Sequence, residues 1–226
     1  MSWLRALPGM GRTPRAASGA LKDFYETPAP GPDTPLSELP LLAVDVETTG
    51  LNPAKDRILS IGWVPLDGLA ISLGGAHYRV IKPEGGQESV GESATIHGLT
   101  DDDVAAGEAL ETVLADLLTD LAGRAMLVHY EPIEREFLTH ACRRCFGSGL
   151  KVPMVDTLEI EKRHMQRMAT FPRGEDLRLP RIRQRYGLPR YRSHNAATDA
   201  LATAELYLVL ADKGRGSTLK SMQVRN

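Results

Sequence analysis

Short apolar runs and helical hydrophobic stripes alternate along most of this chain. Three strand candidates come first, at residues 41–47, 57–65 and 71–81. Asp67-Gly68 is a plausible hairpin turn between the second and the third. The opening strands therefore form a meander, and the helices that follow them indicate an α/β domain with a mixed β-sheet flanked by helices.

The pattern becomes mainly helical after residue 109. Residues 110–121 carry apolar side chains three and four positions apart, which is typical of a helix with one buried face. A short apolar strand is predicted at 125–129. Pro132 can begin the next helix, which we expect to end near Phe146.

Two further helices are predicted in the last third of the chain. Asp156 has the position of an N-cap, with Glu159 at the capping-box position of a helix that ends near Met168. The last predicted helix covers about 196–211. We find no internal repeat along the chain.

Length and composition suit one ordinary domain with short flanking segments. The chain has 226 residues, of which 42% are hydrophobic and 25% charged, as in soluble globular proteins that bury a core. We expect an N-terminal extension and linker at 1–38, one domain at 39–213 and a short tail at 214–226. No apolar stretch approaches the roughly 18 residues that a membrane span requires, so no membrane association is expected.

The N-terminal segment has a composition of its own. Residues 1–22 contain four basic residues and no acid, and five prolines lie between Thr27 and Pro40. We expect a basic, partly disordered extension followed by a linker, which could recruit a protein partner. The sequence leaves the oligomeric state open.

The two cysteines, Cys142 and Cys145, lie three positions apart in a predicted helix. A zinc site would need further soft ligands nearby, so ordinary helical thiols are the better interpretation. Unneeded thiols and the lack of a signal peptide favour a reducing cytoplasm.

Two carboxylates, Asp45 and Glu47, extend the first apolar strand. Residues two apart in a strand point to the same face, so both side chains would project from one edge of the core. Adjacent ionised carboxylates repel each other unless a cation or a shared proton offsets the repulsion. Together with His194 and Asp199, a distant His-x4-Asp pair, they describe the site of a divalent-metal hydrolase.

A strongly basic stretch precedes His194. Residues 162–192 contain ten Lys or Arg residues and two acids, interleaved with Phe171, Tyr186 and Tyr191. Basic side chains follow phosphates and aromatic faces stack on unpaired bases, so this stretch suits a nucleic-acid strand. Solvated surface arginines are the alternative explanation.

Four motifs occur in the order found in the DEDD superfamily of 3′–5′ exonucleases, and the chain resembles its histidine subclass. They are Asp45-Val-Glu47-Thr-Thr-Gly, Ile96-His97-Gly98-Leu99-Thr100, the segment from His129 to Leu138, and His194-Asn-Ala-Ala-Thr-Asp199. Within that superfamily the chain is most similar to epsilon-type proofreading subunits of bacterial DNA polymerase III. The resemblance covers about residues 40–212.

This resemblance implies a ribonuclease-H-like α/β fold and two bound Mg²⁺ or Mn²⁺ ions. It implies that Asp45, Glu47 and Asp199 are metal ligands, with Asp45 bridging both ions. His194 would be the general base that takes a proton from the attacking water, a step for which a group titrating near neutrality is suited. The family positions that touch the terminal nucleotide correspond to Thr48, Thr49 and His97.

The second motif departs from the family pattern. Glu134 stands where the family has Asp, and Tyr130 stands where it has Asn. Glutamate keeps the charge and adds one methylene, so Glu134 is the predicted fourth acid because it keeps the three-residue spacing to Phe137. A solvated helix residue is the alternative interpretation of Glu134. The rival acids are Glu131, Glu136 and Asp156, the last better interpreted as a helix cap.

The resemblance predicts a metal-dependent 3′–5′ exonuclease that releases nucleoside 5′-monophosphates from single-stranded ends. Its substrate could be DNA, RNA or short oligonucleotides, since discrimination depends on contacts to the 2′-hydroxyl that a sequence does not display. One alternative is a weak or inactive relative that binds nucleic acid or protein, which the altered second motif would favour. Another is a proofreading subunit bound to a polymerase.

Overall fold

A mixed sheet forms the centre of the fold in this computed structural model, which describes residues 14, 16–83, 99–191 and 194–223. Its strands are β1 (Pro40–Thr48), β2 (Ile58–Asp67), β3 (Ala70–Ile71), β4 (His77–Val80), β5 (Ala125–Val128) and β6 (Met154–Asp156). The order is β3-β2-β1-β5-β6, and β4 also pairs with β2. The pairs within the meander are antiparallel, whereas β1–β5 and β5–β6 are parallel. The predicted mixed α/β sheet is therefore confirmed.

Helices cover both faces of this sheet. They are α1 (Gly19–Glu26), α2 (Asp101–Ala105), α3 (Leu110–Leu121), α4 (Pro132–Phe146), α5 (Thr157–Arg167), α6 (Leu179–Arg185), α7 (Ala196–Asp212) and α8 (Leu219–Met222). The helices predicted from apolar periodicity and from Pro132 correspond to α3, α4, α5 and α7.

The third strand of the predicted meander is interrupted. A turn at Gly68, where φ is +61°, joins β2 to β3 as expected. A 3₁₀ turn at Leu73–Gly75 then separates β3 from β4, although both strands pair with β2. The prediction of one continuous strand at 71–81 was therefore wrong, because two glycines in succession favour a turn over an extended run.

Asp156 caps α5 as predicted, and its carboxylate accepts a hydrogen bond from the backbone N–H of Leu158 at 2.8 Å. The expected capping box is not formed. Glu159 instead pairs with Lys162 at 2.7 Å on the same helix.

The alternation of side chains along β1 divides the core into two halves. Leu42, Val44 and Val46 pack on one face with α1, α3 and α4. Leu41 and Ala43 pack on the other face with residues of α7. Any residue that continues the odd-numbered series of β1 therefore points toward α7.

A segment of the predicted N-terminal extension packs on the domain. Leu21 and Phe24 of α1 are buried in the core half formed with α3 and α4. Residues 19–26, which the sequence analysis assigned to the N-terminal extension, therefore pack on the domain. Two apolar residues three positions apart form too short a stripe to have indicated this helix.

Residues 217–222, near the C-terminus, also pack on the domain. Leu219 and Met222 of α8 are buried, and the N–H of Leu36 donates to the carbonyl of Ser217 at 3.2 Å. Part of the predicted linker and part of the predicted tail therefore hold each other against the sheet.

Cys142 is buried in the core, and burial raises the pKa of its thiol to about 12. A thiol that stays protonated at neutral pH fits the interpretation of a structural cysteine. Within the described ranges, no helix is both long enough and apolar enough to cross a bilayer.

Candidate active site and metal centre

The carboxyl-terminal end of β1 presents two acids to α7. Asp45 and Glu47 continue the face of β1 that carries Leu41 and Ala43, so they point toward the helix that covers this side of the sheet. Glu47 is buried and Asp45 is half-buried.

Asp199 comes to the same place from the first turn of α7. The Asn195 side chain caps this helix by accepting a hydrogen bond from the N–H of Thr198 at 3.1 Å. The carboxylate oxygens of Asp45, Glu47 and Asp199 offer ligand atoms that all lie within 4.8 Å of one another. The structure therefore brings Asp199 to two acids that lie more than 150 residues before it in the chain.

Gly62 makes this approach possible, and the sequence analysis did not single it out. It lies opposite Asp45 in the β1–β2 register. A Cβ atom at Gly62 would lie 2.2 Å from the backbone carbon of Ala196 at the start of α7. An isolated glycine inside an apolar strand is a signal for such a close backbone approach.

Glu134 lies beside the cluster, in the first turn of α4. Its side chain is buried, and its Oε2 atom has no hydrogen-bond partner among the described residues. Burial and then the charge of Asp45 raise the pKa of its carboxyl well above the usual range. A buried carboxylate oxygen without a partner is costly, so it points to a group that the protein itself does not supply.

The rival acids of the second motif have other surroundings. Glu131 forms an ion pair with Arg135 at 2.9 Å, and Glu136 is exposed. Asp156 accepts hydrogen bonds from the N–H groups of Tyr130 at 3.1 Å and Glu131 at 3.0 Å, besides capping α5. It therefore anchors the start of α4, and its oxygens are already occupied.

Burial disfavours the ionised form of every acid in the cluster, and repulsion adds to this effect for Asp45 and Glu47. Burial, followed by the charges of Glu47 and Asp199, raises the pKa of Asp45 well above its usual range. Burial and then Asp199 raise the pKa of Glu47 to about 7, and burial raises the pKa of Asp199. A hard divalent cation would relieve this repulsion, and carboxylate oxygens are the ligands it prefers. The donor set fits such an ion.

His194 lies at the entrance to α7, and its side chain is exposed. Its N–H donates to Asp199 Oδ2 at 2.8 Å, and its φ of +72° lies in the left-handed region. Such a conformation is uncommon outside glycine and often marks a functional position. The structure thus brings His194 next to the cluster through its backbone.

A buried cation holds the segment that leads to His194. Arg183 of α6 donates to Glu205 Oε2 at 2.8 Å and to the carbonyls of Ala202 at 2.6 Å and Pro189 at 3.0 Å. Its guanidinium also lies 4.7 Å from the ring centroid of Tyr191. This network connects residues 189–191, just before His194, to the helix that carries Asp199. The sequence analysis did not predict it.

Of the three predicted nucleotide contacts, Thr48 and Thr49 lie in the described part of the chain. The hydroxyl of Thr48 donates to the carbonyl of Gly50 at 2.6 Å, and the hydroxyl of Thr49 lies 3.3 Å from Asp56 Oδ1. Both threonines therefore order the loop that follows β1. His97 lies outside the described residues.

A mixed sheet whose central strand ends in clustered carboxylates defines a ribonuclease-H-like fold with a candidate divalent-metal site. The family model described as Exonuclease (RNase_T) matches residues 42–207. The chain therefore belongs to this exonuclease family.

Similar curated bacterial proteins are named for DNA polymerase III or for its epsilon subunit. The chain is 27% identical to a PolC-type DNA polymerase III of Thermotoga maritima over 78% of this chain and 12% of that protein. It is 29% identical to a DNA polymerase III subunit epsilon-like protein of Rhodobacter capsulatus, over 82% and 26% of the two chains. For a subunit epsilon of Treponema pallidum the identity is 26%, over 74% of each chain. The chain thus spans about an eighth of the length of the PolC-type relatives.

Solved structures share the fold at low identity. Escherichia coli exonuclease I in complex with a dT13 oligonucleotide has a TM-score of 0.64 and 18% identity, covering 78% of this chain and 42% of the other. A 3′-exonuclease that recognises a histone mRNA stem-loop has a TM-score of 0.64 and 17% identity, covering 79% and 84%. These likenesses confirm the predicted ribonuclease-H-like fold.

Proposed function

We propose that this chain is a metal-dependent exonuclease that shortens single-stranded nucleic acid from its 3′ end and releases nucleoside 5′-monophosphates. The observation that carries the proposal is the convergence of the Asp45, Glu47 and Asp199 carboxylates within 4.8 Å, in a chain of the exonuclease family. Repelling carboxylates with raised pKa values suit a site built to bind cations.

In this proposal Asp45, Glu47 and Asp199 would hold two divalent ions, Mg²⁺ or Mn²⁺. Ions bound there would supply positive charge for the phosphate oxygens of the scissile bond. Glu134 would take the fourth acidic position, in place of the family Asp. Its unpartnered Oε2 supports that role.

The remaining chemistry belongs to His194 and water. Its imidazole nitrogen would accept a proton from the attacking water, whose oxygen then forms the new bond to phosphorus. The bond from phosphorus to the 3′-oxygen of the preceding nucleotide breaks, and that oxygen takes up a proton. The exposed side chain of His194 leaves room for water to reach it.

Substrate contacts are proposed at the loop after β1. Thr48 and Thr49 would contact the terminal nucleotide together with His97. The hydrogen bonds that Thr48 and Thr49 make within the loop support a preformed surface at this place.

A second candidate function is proofreading with a polymerase. The names of the polymerase III relatives favour it. A faster removal of a mismatched than of a matched primer terminus would support this function, and equal rates would contradict it.

An end-labelling experiment tests the main proposal. A strand labelled at its 5′ end, as DNA and as RNA, is incubated with the chain in Mg²⁺, in Mn²⁺ and in chelator. We expect a ladder that shortens from the 3′ end only with metal, with 5′-mononucleotides as products. Cleavage from the 5′ end, or cleavage that survives chelation, would contradict the proposal.

A further inference from the structure

The basic stretch at 162–192 divides into paired and unpaired cations. Several of its members are neutralised within the protein: Lys162 pairs with Glu159, Arg173 with Asp176, Arg183 with Glu205, and Arg185 with Glu161. Its aromatic residues divide in the same way. The Tyr186 hydroxyl donates to Glu161 at 2.7 Å and the Tyr191 hydroxyl to Glu205 at 2.8 Å, whereas the Phe171 side chain is 84% exposed.

Three of the arginines that have no such partner lie together. Arg178, Arg181 and Arg190 are exposed, and no carboxylate in the described part of the chain forms an ion pair with them. All three line one cleft of about 420 Å³, and Asp199 lines the same cleft. These arginines therefore border the space that reaches the carboxylate cluster.

A second cleft continues the first. It has a volume of about 540 Å³, and its lining includes Arg173 and Arg185 together with the acids Glu175 and Asp176. The two clefts share Arg181 and Gln184. They adjoin at these two residues, and we call the two adjoining clefts, from Asp199 past Arg181 to Arg173, the arginine groove.

Unpartnered cations of like sign in one groove repel each other unless a polyanion offsets their charge. A phosphodiester strand supplies one negative charge per nucleotide, so it can place successive phosphates against successive arginines. One end of the groove lies at the carboxylate cluster. A chain whose terminal phosphodiester occupies that cluster would run along the groove away from it.

We propose that the arginine groove binds the phosphodiester backbone of the strand upstream of the scissile bond, with Arg178, Arg181 and Arg190 as its phosphate contacts. The orientation of the strand rests on the proposed exonuclease function, whereas the binding itself does not. A strand of several nucleotides would place more phosphates against these arginines than a dinucleotide can, so the groove favours longer strands.

Equilibrium binding without catalysis tests this proposal. Fluorescent oligo-dT and oligo-U of two and twelve nucleotides are titrated with the full chain in chelator, and anisotropy is followed at several salt concentrations. For single strands the slope of log K against log salt is about −0.7 per phosphate neutralised. We therefore expect a variant with Arg178→Ala, Arg181→Ala and Arg190→Ala to lose about 2 units of slope with the twelve-nucleotide strand. The preference of the parent for twelve over two nucleotides should largely disappear.

Arg143→Ala is the matched control, since Arg143 is an exposed arginine of α4 that lines neither cleft. Its salt slope should equal that of the parent. An unchanged slope in the triple variant, or a parent that binds both lengths equally, would overturn the proposal. So would equal competition by a poly-glutamate peptide, which would make the groove a general polyanion site. Nuclease assays on the same samples in Mn²⁺ report separately on the exonuclease function.

Discussion

Glu134 and Tyr130 are the two positions at which the second motif departs from the family pattern, and the surroundings of Glu134 fit its proposed role as the fourth acid. The side chain is buried beside Asp45, and its Oε2 atom has no hydrogen-bond partner among the described residues. The spacing to Phe137 distinguished it from Glu131 and Glu136 in the sequence. Its burial could not be predicted from the sequence, because it depends on how α4 meets the sheet.

If Glu134 is the fourth acid, Glu134→Ala should lose most nuclease activity. Glu134→Asp should retain part of it, since its carboxylate is one bond shorter and a misplacement near 1 Å can cost about 10²-fold in rate. The exposed Glu136 provides the control, and Glu136→Ala should keep parental turnover. The measurement is turnover of a labelled strand in Mn²⁺. Full activity in Glu134→Ala would show that Glu134 is not part of the active site.

His194→Ala should lower turnover by roughly 10²- to 10⁴-fold, which is the usual range for a lost general base. Metal binding should survive, because the imidazole is not assigned as a ligand. Turnover measured across the pH range reports on the loss of the general base, and stabilisation by added metal reports on metal binding. A variant that keeps nearly full turnover at every pH would show that another group takes the proton.

At the scale of elements, the site depends on how closely α7 approaches β2. Hydrophobic periodicity predicted both elements, and the His-x4-Asp spacing placed Asp199 at the start of the helix. The contact itself depends on the missing side chain of Gly62, which lies opposite Asp45 and beneath Ala196. A sequence alone does not say which helix packs on such a glycine.

Gly62→Ala should therefore damage both stability and activity. The new Cβ atom would meet backbone rather than a flexible side chain, so α7 must shift at a cost of about 1–3 kcal/mol in the free energy of unfolding. The shift would carry Asp199 away from its partners. Gly74→Ala is the matched control, because nothing lies within 4 Å of a Cβ atom there. Urea denaturation and turnover of both variants test this, and a Gly62→Ala chain indistinguishable from Gly74→Ala would contradict the packing.

At the scale of the whole molecule, the ends of the chain are where the prediction from sequence failed. The sequence analysis assigned residues 1–38 to an extension and linker, yet Leu21 and Phe24 lie in the core and the N–H of Leu36 donates to the carbonyl of Ser217. Composition describes local preference, whereas these segments are held by contacts between distant parts of the chain. The sheet and its acids were predictable because strand periodicity and motif spacing are local.

The carboxylate cluster should make stability depend on pH in the absence of metal. The pKa of Glu47 is raised from its ordinary 4.5 to about 7, so the folded state binds more protons than the unfolded state between these values. Unfolding free energy should therefore fall as the pH rises from about 4.5 to about 7, and this contribution should level off above that. Urea denaturation in chelator at a series of pH values tests the sign. If the Glu47→Gln variant showed the same fall of unfolding free energy with pH as the parent, the fall could not be assigned to Glu47.

Metal-dependent stability of the parent, Asp45→Asn and Asp199→Asn at pH 8 tests the proposed site most directly. In chelator, both variants should unfold at a slightly higher temperature than the parent, because each removes one of the repelling charges. With Mn²⁺ at about 100 times its Kd, the parent should gain about 2.7 kcal/mol, and the variants should gain much less. Glu136→Gln, which changes an exposed carboxylate, should behave as the parent. Equal stabilisation by Mn²⁺ in all four proteins would show that Asp45 and Asp199 do not bind the metal.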